Sequence, residues 1–400
     1  MANDPLPILD PISASMDRLK GYLRMVGKEL VNSNDSSGRV LAQDIQAFRD
    51  SPSTDVSAMD GYAVQLRDVD GRALPVTGIS TAGSSPLRLE SNSAIRVFTG
   101  GPVPEQADCV VRREDCVESA TEVSIQVPNG SIPNGLNIRK QGENAKKGEI
   151  VIQKGVLLSA CQYAGALTFQ AEPQLEVFQK VRVCIVNTGD ELIEFGKPIE
   201  SWQIRDSNGP FLETSLAKHP WIATERFKVS DHREKTEQVI RDALERYDVL
   251  LLTGGVSMGD TDYVPDSIRS SGGQVVFHKI PIRPGRPMLG AYGPQGQLIL
   301  GLPGNPLSVA VTFRRYAMEL IRQVAGFVKS EFIPSMILET NDTKAINLTW
   351  FRLVSYNDNG QLQLVTSLGS GDIASLIRSD GFMEIPPNCI AAGTRKFYAW

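Results

Sequence analysis

The sequence predicts a multidomain protein of α/β plus β class, and three observations lead there. The chain has 400 residues, more than one ordinary core organises. Between about 46 and 150, short β-type runs are broken by Gly, Pro and Ser, the texture of a β-rich domain. From residue 180 strands, glycine turns and helices alternate, which predicts a parallel sheet, and residues 328–400 return to β.

The elements follow in order. Within residues 15–31, Leu19, Tyr22, Leu23, Val26 and Leu30 recur at i, i+3, i+4, i+7 and i+11, which predicts one amphipathic helix. The β-rich segment contributes "AIRVFTG", "DCVVRRED", "EVSIQVP", "LNIRKQG" and "EIVIQKG" as strands. Residues 158–171 read as a helix with Ser159 at its N-cap. "VRVCIVNTGDEL" is a strand running into a turn, and "DSNGPFLETSLAKH" a capped helix. "YDVLLLTGGVSMGDTDYVPDSI" is strand, glycine loop and helix; "LILGLPGNPLSVAVTFRRYAMELI" repeats that plan. All three glycine turns follow apolar strands, so in a parallel sheet they share the edge where ligands bind. "YNDNGQLQL" reads as a hairpin in the β tail.

Composition excludes several classes. The chain is 41% hydrophobic and 22% charged with a net charge of −5, which argues against a nucleic-acid binder that relies on overall basicity. Five scattered cysteines without a CxxC pair, and only three histidines, disfavour a zinc site and a disulfide framework; a reducing cytoplasm fits best. The N-terminal "MANDPLPILD" lacks the basic and apolar regions of a signal peptide, and no apolar run reaches the roughly 18–20 residues of a membrane span. Cys109, Cys116 and Cys184 sit in apolar strand contexts and read as core residues, not nucleophiles.

The glycine turns carry the candidate chemistry. In "GLPGNP" the glycines permit close approach and positive φ, Asn305 falls at a cap and Pro306 in the first helical turn. Two readings stand: a plain chain reversal, or a cradle in which free N–H groups hold a phosphate. "TGGVSMGDTDY" and "NTGDEL" place further Gly, Ser and Thr donors after strands, and neither a Walker A loop nor GxGxxG is present. In "HKIPIRPGRP", Lys279, Arg283 and Arg286 are interleaved with prolines; stiff cations suit an oxyanion, and a solvated basic loop is the alternative. Asp60 in "SAMDGYA", Asp190 and Glu191, and Asp260 and Asp262 read either as turn residues or as ligands of Mg²⁺.

At this point the chain resembles a known family. "SAMDGYA", "FTGGPVPEQADCVV", "IRKQGEN", "NTGDEL", "DSN", "LTGGVSMGDTDYV", "PGRP" and "LPGNP" occur in the order seen in molybdopterin molybdenumtransferases, the bacterial MoeA proteins and the E domain of gephyrin. The resemblance runs through essentially the whole chain. It implies an elongated homodimer of four-part subunits. The parts would be a helical/linker domain at 1–45 and 146–178, an inserted β-rich domain at 46–145, a three-layer α/β molybdopterin-binding domain at 179–327 and a C-terminal β-barrel at 328–400. It implies a molybdopterin molybdotransferase that takes molybdate and adenylylated molybdopterin, releases AMP in a Mg²⁺-dependent step and yields molybdenum cofactor. The cleft would lie between the α/β domain of one subunit and the β-rich insertion of the other.

By motif, the resemblance assigns catalytic roles to Asp60, Glu191, Asp262 and Lys279, and metal ligation to Asp60, Glu191, Asp231 and Asp262. It assigns substrate binding to Thr99, Gly254, Gly255, Ser257, Gly259, Arg283, Arg286, Pro303, Gly304 and Asn305. Partners implied are a molybdopterin adenylyltransferase and chaperones of molybdoenzymes, with no nucleic acid and no membrane. Two positions depart from the family: Asn144 stands where it usually has an acid, and Arg283-Pro-Gly-Arg286 where it often has lysines. Asn144 keeps open a paralogue that binds molybdopterin or molybdate, or serves as a scaffold, without transfer. The residues alone leave a generic nucleotide-dependent phosphotransferase open as well.

Overall fold

The structure, a computed structural model, describes residues 11–128, 130–230, 232–255, 263–340 and 342–400. They form two compact units. One comprises the chain up to Gln43, Lys154–Ala160 and Gln174–Trp400; the other comprises Asp44–Gln153 and Cys161–Pro173.

In the larger unit a six-stranded sheet runs in the order Ile222–Val229, Val181–Thr188, Val249–Thr253, Leu298–Leu302, Leu289–Tyr292, Gln274–His278. The first four strands are parallel and the last two pairings antiparallel. The apolar runs of the three inner parallel strands are nearly continuous because both faces are buried, whereas the edge strand Ile222–Val229 alternates with exposed polar residues. Val183, Ile185, Leu251 and Leu300 face one core with Leu212 and Leu216 of helix Asn208–Ala217 and Val309 of helix Pro306–Thr312. Cys184, Val186, Leu250, Leu252 and Ile299 face the other, with Ile240 of helix Arg233–Arg246 and Ile268 of helix Val264–Ser270. Each fully buried Leu, Ile or Val contributes roughly 1.5–3 kcal/mol on leaving water. The helix at Pro306 continues through a π-helical stretch, Phe313–Ala317, into Met318–Val324.

The register fixes where ligands can sit. Thr188 pairs with Val229, Asn187 with Thr253, and Thr253 with Leu302, so the carboxyl ends of the four parallel strands are level. The chain leaves Val181–Thr188 toward one side of the sheet and returns on the other at Val249–Thr253. Their carboxyl ends flank the crevice where open α/β sheets take ligands.

Residues 335–399 close a five-stranded barrel. Thr349–Tyr356 pairs with Leu362–Leu364 and Gly381–Ile385, the latter with Gly393–Ala399, that strand with Ser335–Leu338, and Ser335–Leu338 with Leu362–Leu364. The hairpin after Tyr356 forms as expected, with Gly360 at φ 74°. A short strand, Ile282–Arg283, adds to the barrel beside Thr349–Trp350.

In the smaller unit, Cys109–Arg112, Gly61–Val64, Ala94–Val97, Leu74–Ser80, Glu122–Ile125 and Cys116–Glu118 lie in that order in one mixed sheet. Alternation sends Tyr62 and Val64 to one core and Ala63 to another. Cys109 and Cys184 are buried, and burial pushes the thiols of Cys109, Cys116 and Cys184 up to about 12, which suits packing rather than nucleophilic attack.

One expected helix is shorter than its periodicity. The helix spans Pro11–Lys20 instead of 15–31, and Lys28–Asn32 is a strand paired antiparallel with Gln174–Phe178. Gly21 follows the last helical residue, and the backbone of 28–32 gains a partner strand that helix cannot offer; Tyr22 and Leu30 are left exposed. The helix expected at 158–171 is present as Ala160–Phe169, directly after Ser159. Among the described residues no helix is long and apolar enough to cross a membrane.

Candidate functional site

The sheet edge is built from its buried strand ends. Asn187 Nδ2 donates to Thr253 Oγ1 at 2.8 Å and Thr188 Oγ1 to the Thr253 carbonyl at 3.2 Å, tying the two central strands where their loops begin. Gly254 and Gly255 then turn with φ of 86° and 63°. A Cβ on Gly254 would lie 2.7 Å from Thr188 Oγ1 and 2.8 Å from its carbonyl oxygen, so only glycine fits there without a shift. Gly304 lies against Gly254, the nearest atom to a Cβ built on it being the Gly254 Cα at 3.8 Å. Glu191 is exposed beside Gly189.

The "LPGNP" turn differs from the open cradle that its sequence suggests. Gly304 has no positive φ, and Asn305 occupies the N-cap position without capping. Its Nδ2 donates instead to Ser370 Oγ at 2.8 Å, and the Leu307 N–H donates to the Ser370 carbonyl at 3.0 Å. One of the helix's free donors is therefore satisfied by a barrel loop and not available to a phosphate. The Gly304 carbonyl accepts from Asn208 Nδ2 at 2.7 Å. Asp206 braces that helix, accepting from the Gly209 N–H at 3.0 Å and from Arg226 at 2.9 Å. Sequence reasoning assigned no role to Asn208, Asp206 or Ser370; "DSN" opening a helix was the available signal for the first two.

A cavity of about 840 Å³ opens beside this turn. It collects Arg283, Arg286, Pro303 and Asn305 from the expected set, together with Trp350 and Lys344 of the C-terminal region. Lys279 is exposed and holds φ 68°, a left-handed conformation uncommon for a side-chain-bearing residue and common at functional sites. Gly254, Gly255, Glu191 and Lys279 do not line this cavity.

In the smaller unit Asp60 is exposed at the head of the buried strand Gly61–Val64. Its Oδ1 accepts from both the N–H and the hydroxyl of Thr99, each at 2.7 Å. The backbone donor first, then the hydroxyl, with help from Arg96 and Arg113, holds the carboxyl below the usual carboxylate range. Two residues singled out separately are thus one hydrogen-bonded pair. Asn144 Oδ1 accepts from Arg139 Nη2 at 2.5 Å, which gives the amide a partner of its own.

Asp231, Ser257, Gly259, Asp260 and Asp262 lie outside the described residues. Among the described residues no three His, Cys, Asp or Glu side chains converge. The donor chemistry nonetheless suits Mg²⁺, which takes one or two carboxylates and completes its shell with water and phosphate oxygens. Asp60 is ionised and anchored through one oxygen, which leaves Oδ2 for a cation.

Comparison with known proteins shows the family of the chain. Residues 10–169 match the family described as MoeA N-terminal region (domain I and II), and residues 184–323 match the probable molybdopterin binding domain. The molybdopterin molybdenumtransferase of Haemophilus influenzae is 34% identical over 369 residues, covering 89% of both chains. That of Synechococcus elongatus is 32% identical, covering 90% of this chain and 91% of its own. The crystal structure of the molybdopterin biosynthesis moeA protein from Pyrococcus horikoshii superposes with a TM-score of 0.80 at 26% identity, covering 97% of this chain and 98% of that one. With whole-chain coverage, the glycine turns on one sheet edge and the paired Asp60 and Thr99, the chain belongs to the molybdopterin molybdenumtransferase family.

Proposed function

We propose that this protein inserts molybdenum from molybdate into adenylylated molybdopterin, releasing AMP and forming molybdenum cofactor, as a soluble cytoplasmic homodimer whose clefts are shared between subunits. The observation that carries the reading is the exposed Asp60 carboxylate, fixed by two bonds from Thr99 and kept ionised with help from Arg96 and Arg113. An exposed carboxylate held this firmly suits a task better than it suits stability.

The remaining roles follow from chemistry. On motif position Asp60, Glu191, Asp231 and Asp262 would hold Mg²⁺. When bound, Mg²⁺ neutralises pyrophosphate charge and polarises the bond to be hydrolysed. Gly254 and Gly255 let the backbone approach the phosphates, and Ser257 and Gly259 extend that loop on motif position. Lys279, Arg283 and Arg286 attract the oxyanion, where fixed cations stabilise charge without reorganising. The turn Pro303–Asn305 shapes the cavity wall and supplies fewer free N–H groups than a bare helix start.

The test is AMP release from adenylylated molybdopterin with Mg²⁺ and molybdate. Asp60→Ala and Glu191→Ala are expected to fold normally and to lose roughly 30- to 1000-fold in rate, as for about 2–4 kcal/mol of transition-state stabilisation. Wild-type turnover in both variants overturns the site. Tight binding of substrate by the wild-type protein with no AMP release overturns the transferase in favour of a binding protein.

A further inference from the structure

In the edge strand Ile222–Val229, Arg226 and Lys228 stand two residues apart, so both side chains leave the strand on one face. No motif includes either residue, and each reaches the same neighbouring segment. That segment is an arm, residues 189–206, which carries Glu191 away from Val181–Thr188 and returns to helix Asn208–Ala217. Leu192–Ile193 pairs in parallel with Ile204–Arg205, which ties the outgoing end of the arm to the returning end. The Ile204 N–H donates to the Glu191 carbonyl at 2.9 Å, and the Asp206 N–H to the Ile193 carbonyl at 3.1 Å. A two-stranded ladder this short is marginal on its own. Between its ends Phe195 and Trp202 lie exposed, so the tip supplies no core to hold it.

The two cations supply the missing anchorage. Lys228 Nζ donates to the Leu192 carbonyl, one residue from Glu191 on the outgoing end. Arg226 Nη1 donates to Asp206 Oδ2 at 2.9 Å on the returning end, and its Nε lies 3.3 Å from Glu213 Oε2. The Asp206 side chain is only 5% exposed and also accepts from the Gly209 N–H at 3.0 Å. The helix start closes over this pair: a Cβ on Gly209 would lie 2.7 Å from Asp206 Oδ2 and 2.8 Å from Arg226 Cδ. The Glu191 carboxylate folds back over Gly189, with Oε2 2.7 Å from the place of a Cβ on that glycine. Its position therefore follows the turn that Lys228 pins.

We propose that Arg226 and Lys228 are positioning residues: the edge strand clamps both ends of the arm and thereby fixes Glu191 at the carboxyl end of the sheet. An unclamped arm lets an exposed carboxylate wander, and a displacement of about 1 Å can cost on the order of 100-fold in rate. The clamp stands on the geometry; only its catalytic consequence rests on the transferase reading.

Lys228 carries the test, because Arg226→Met leaves the nearly buried Asp206 without its cation and lowers the unfolding temperature. Lys228 is exposed, and Lys228→Met keeps the aliphatic stem while removing the donor, so its unfolding temperature is expected to match wild type. Hydrogen exchange of the full chain, read at the Ile204 and Asp206 amides, is the first measurement. Lys228→Met is expected to accelerate both about tenfold, while Lys228→Arg, which still donates, stays within about threefold of wild type. AMP release from adenylylated molybdopterin is the second. Lys228→Met is expected to lower kcat about tenfold with KM within about twofold. In a Glu191→Ala background it is expected to add nothing, since a residue that acts through Glu191 then has no route to the reaction. Wild-type exchange in Lys228→Met overturns the clamp. Faster exchange with wild-type kcat, or a further tenfold loss in the Glu191→Ala background, overturns the positioning of Glu191. A wild-type protein that releases no AMP overturns the transferase reading alone, and exchange, which needs no substrate, still decides the clamp.

Discussion

At Asp60 both bonds from Thr99 fall on one carboxylate oxygen, and each stabilises the charged form. Because the folded-state value lies below the unfolded one, any stability linked to Asp60 is complete above the ordinary carboxylate value of about 3.9 and disappears as pH falls through the lowered one. Removing the hydroxyl in Thr99→Val should move the Asp60 titration upward while leaving the backbone bond, and carbon-detected NMR of the carboxyl reads it directly. No movement would mean that the hydroxyl bond is not made in solution. Asn144 invites the opposite change. Its carbonyl accepts from Arg139, so Asn144→Asp would turn a hydrogen bond into an exposed ion pair, worth about 0.2–1 kcal/mol. An unchanged or slightly raised unfolding temperature with AMP release retained is expected; a collapse of release would show that the neutral amide has a task of its own. Neither pairing was legible in the sequence. Asp60 and Thr99 are 39 residues apart, and no periodicity links a strand head to a turn on another strand.

At the scale of elements, apolar spacing predicted most segments and misjudged the ends that tertiary partners decide. Leu23, Val26 and Leu30 fit a helical stripe, yet Lys28–Asn32 went to the antiparallel partner at Gln174–Phe178. The helix start at "LPGNP" was placed correctly by Pro306, but its chemistry was not, because Ser370 of the barrel takes a donor that local sequence leaves open. That turn is held from two sides, by Asn208 on the Gly304 carbonyl and by Ser370 on Asn305 and Leu307. Asn208→Ala should therefore cost only about 1 kcal/mol in stability, one net hydrogen bond, while lowering AMP release by a larger factor as the turn shifts. A proportionate loss of both would reduce Asn208 to scaffold. Gly61→Ala is the contrasting case. Its Cβ would fall 1.9 Å from the Val111 carbonyl oxygen, a backbone atom of the paired strand. Destabilisation on the order of 3 kcal/mol or more is expected in thermal unfolding, since the sheet must open to admit the methyl.

For the whole molecule, the order helix, β insertion, helix, α/β and β tail was readable because each part has its own period of apolar residues. The barrel's share in the cavity was not, because Trp350 and Lys344 belong to no motif and reach Arg283 only through the pairing of Ile282–Arg283 with Thr349–Trp350. Two electrostatic scales then compete over the anionic substrate. The chain as a whole carries −5 and would repel an oxyanion at long range, while Arg283, Arg286 and Lys344 put positive charge at the cavity wall. Screening decides which one a titration sees, since the Debye length shrinks from about 30 Å at 0.01 M salt to about 10 Å at 0.1 M. If cavity cations dominate the bound state, molybdate affinity falls several-fold as salt rises from about 20 to about 300 mM, because ions compete with a contact interaction while the distant repulsion was already weak. Arg283→Ala should flatten that dependence by removing one of the contacts that salt competes with. An affinity that rises with salt would mean the net negative field governs binding and that the cavity cations are solvated surface; flattening by Arg283→Ala together with a falling wild-type curve places the attraction at the cavity wall itself.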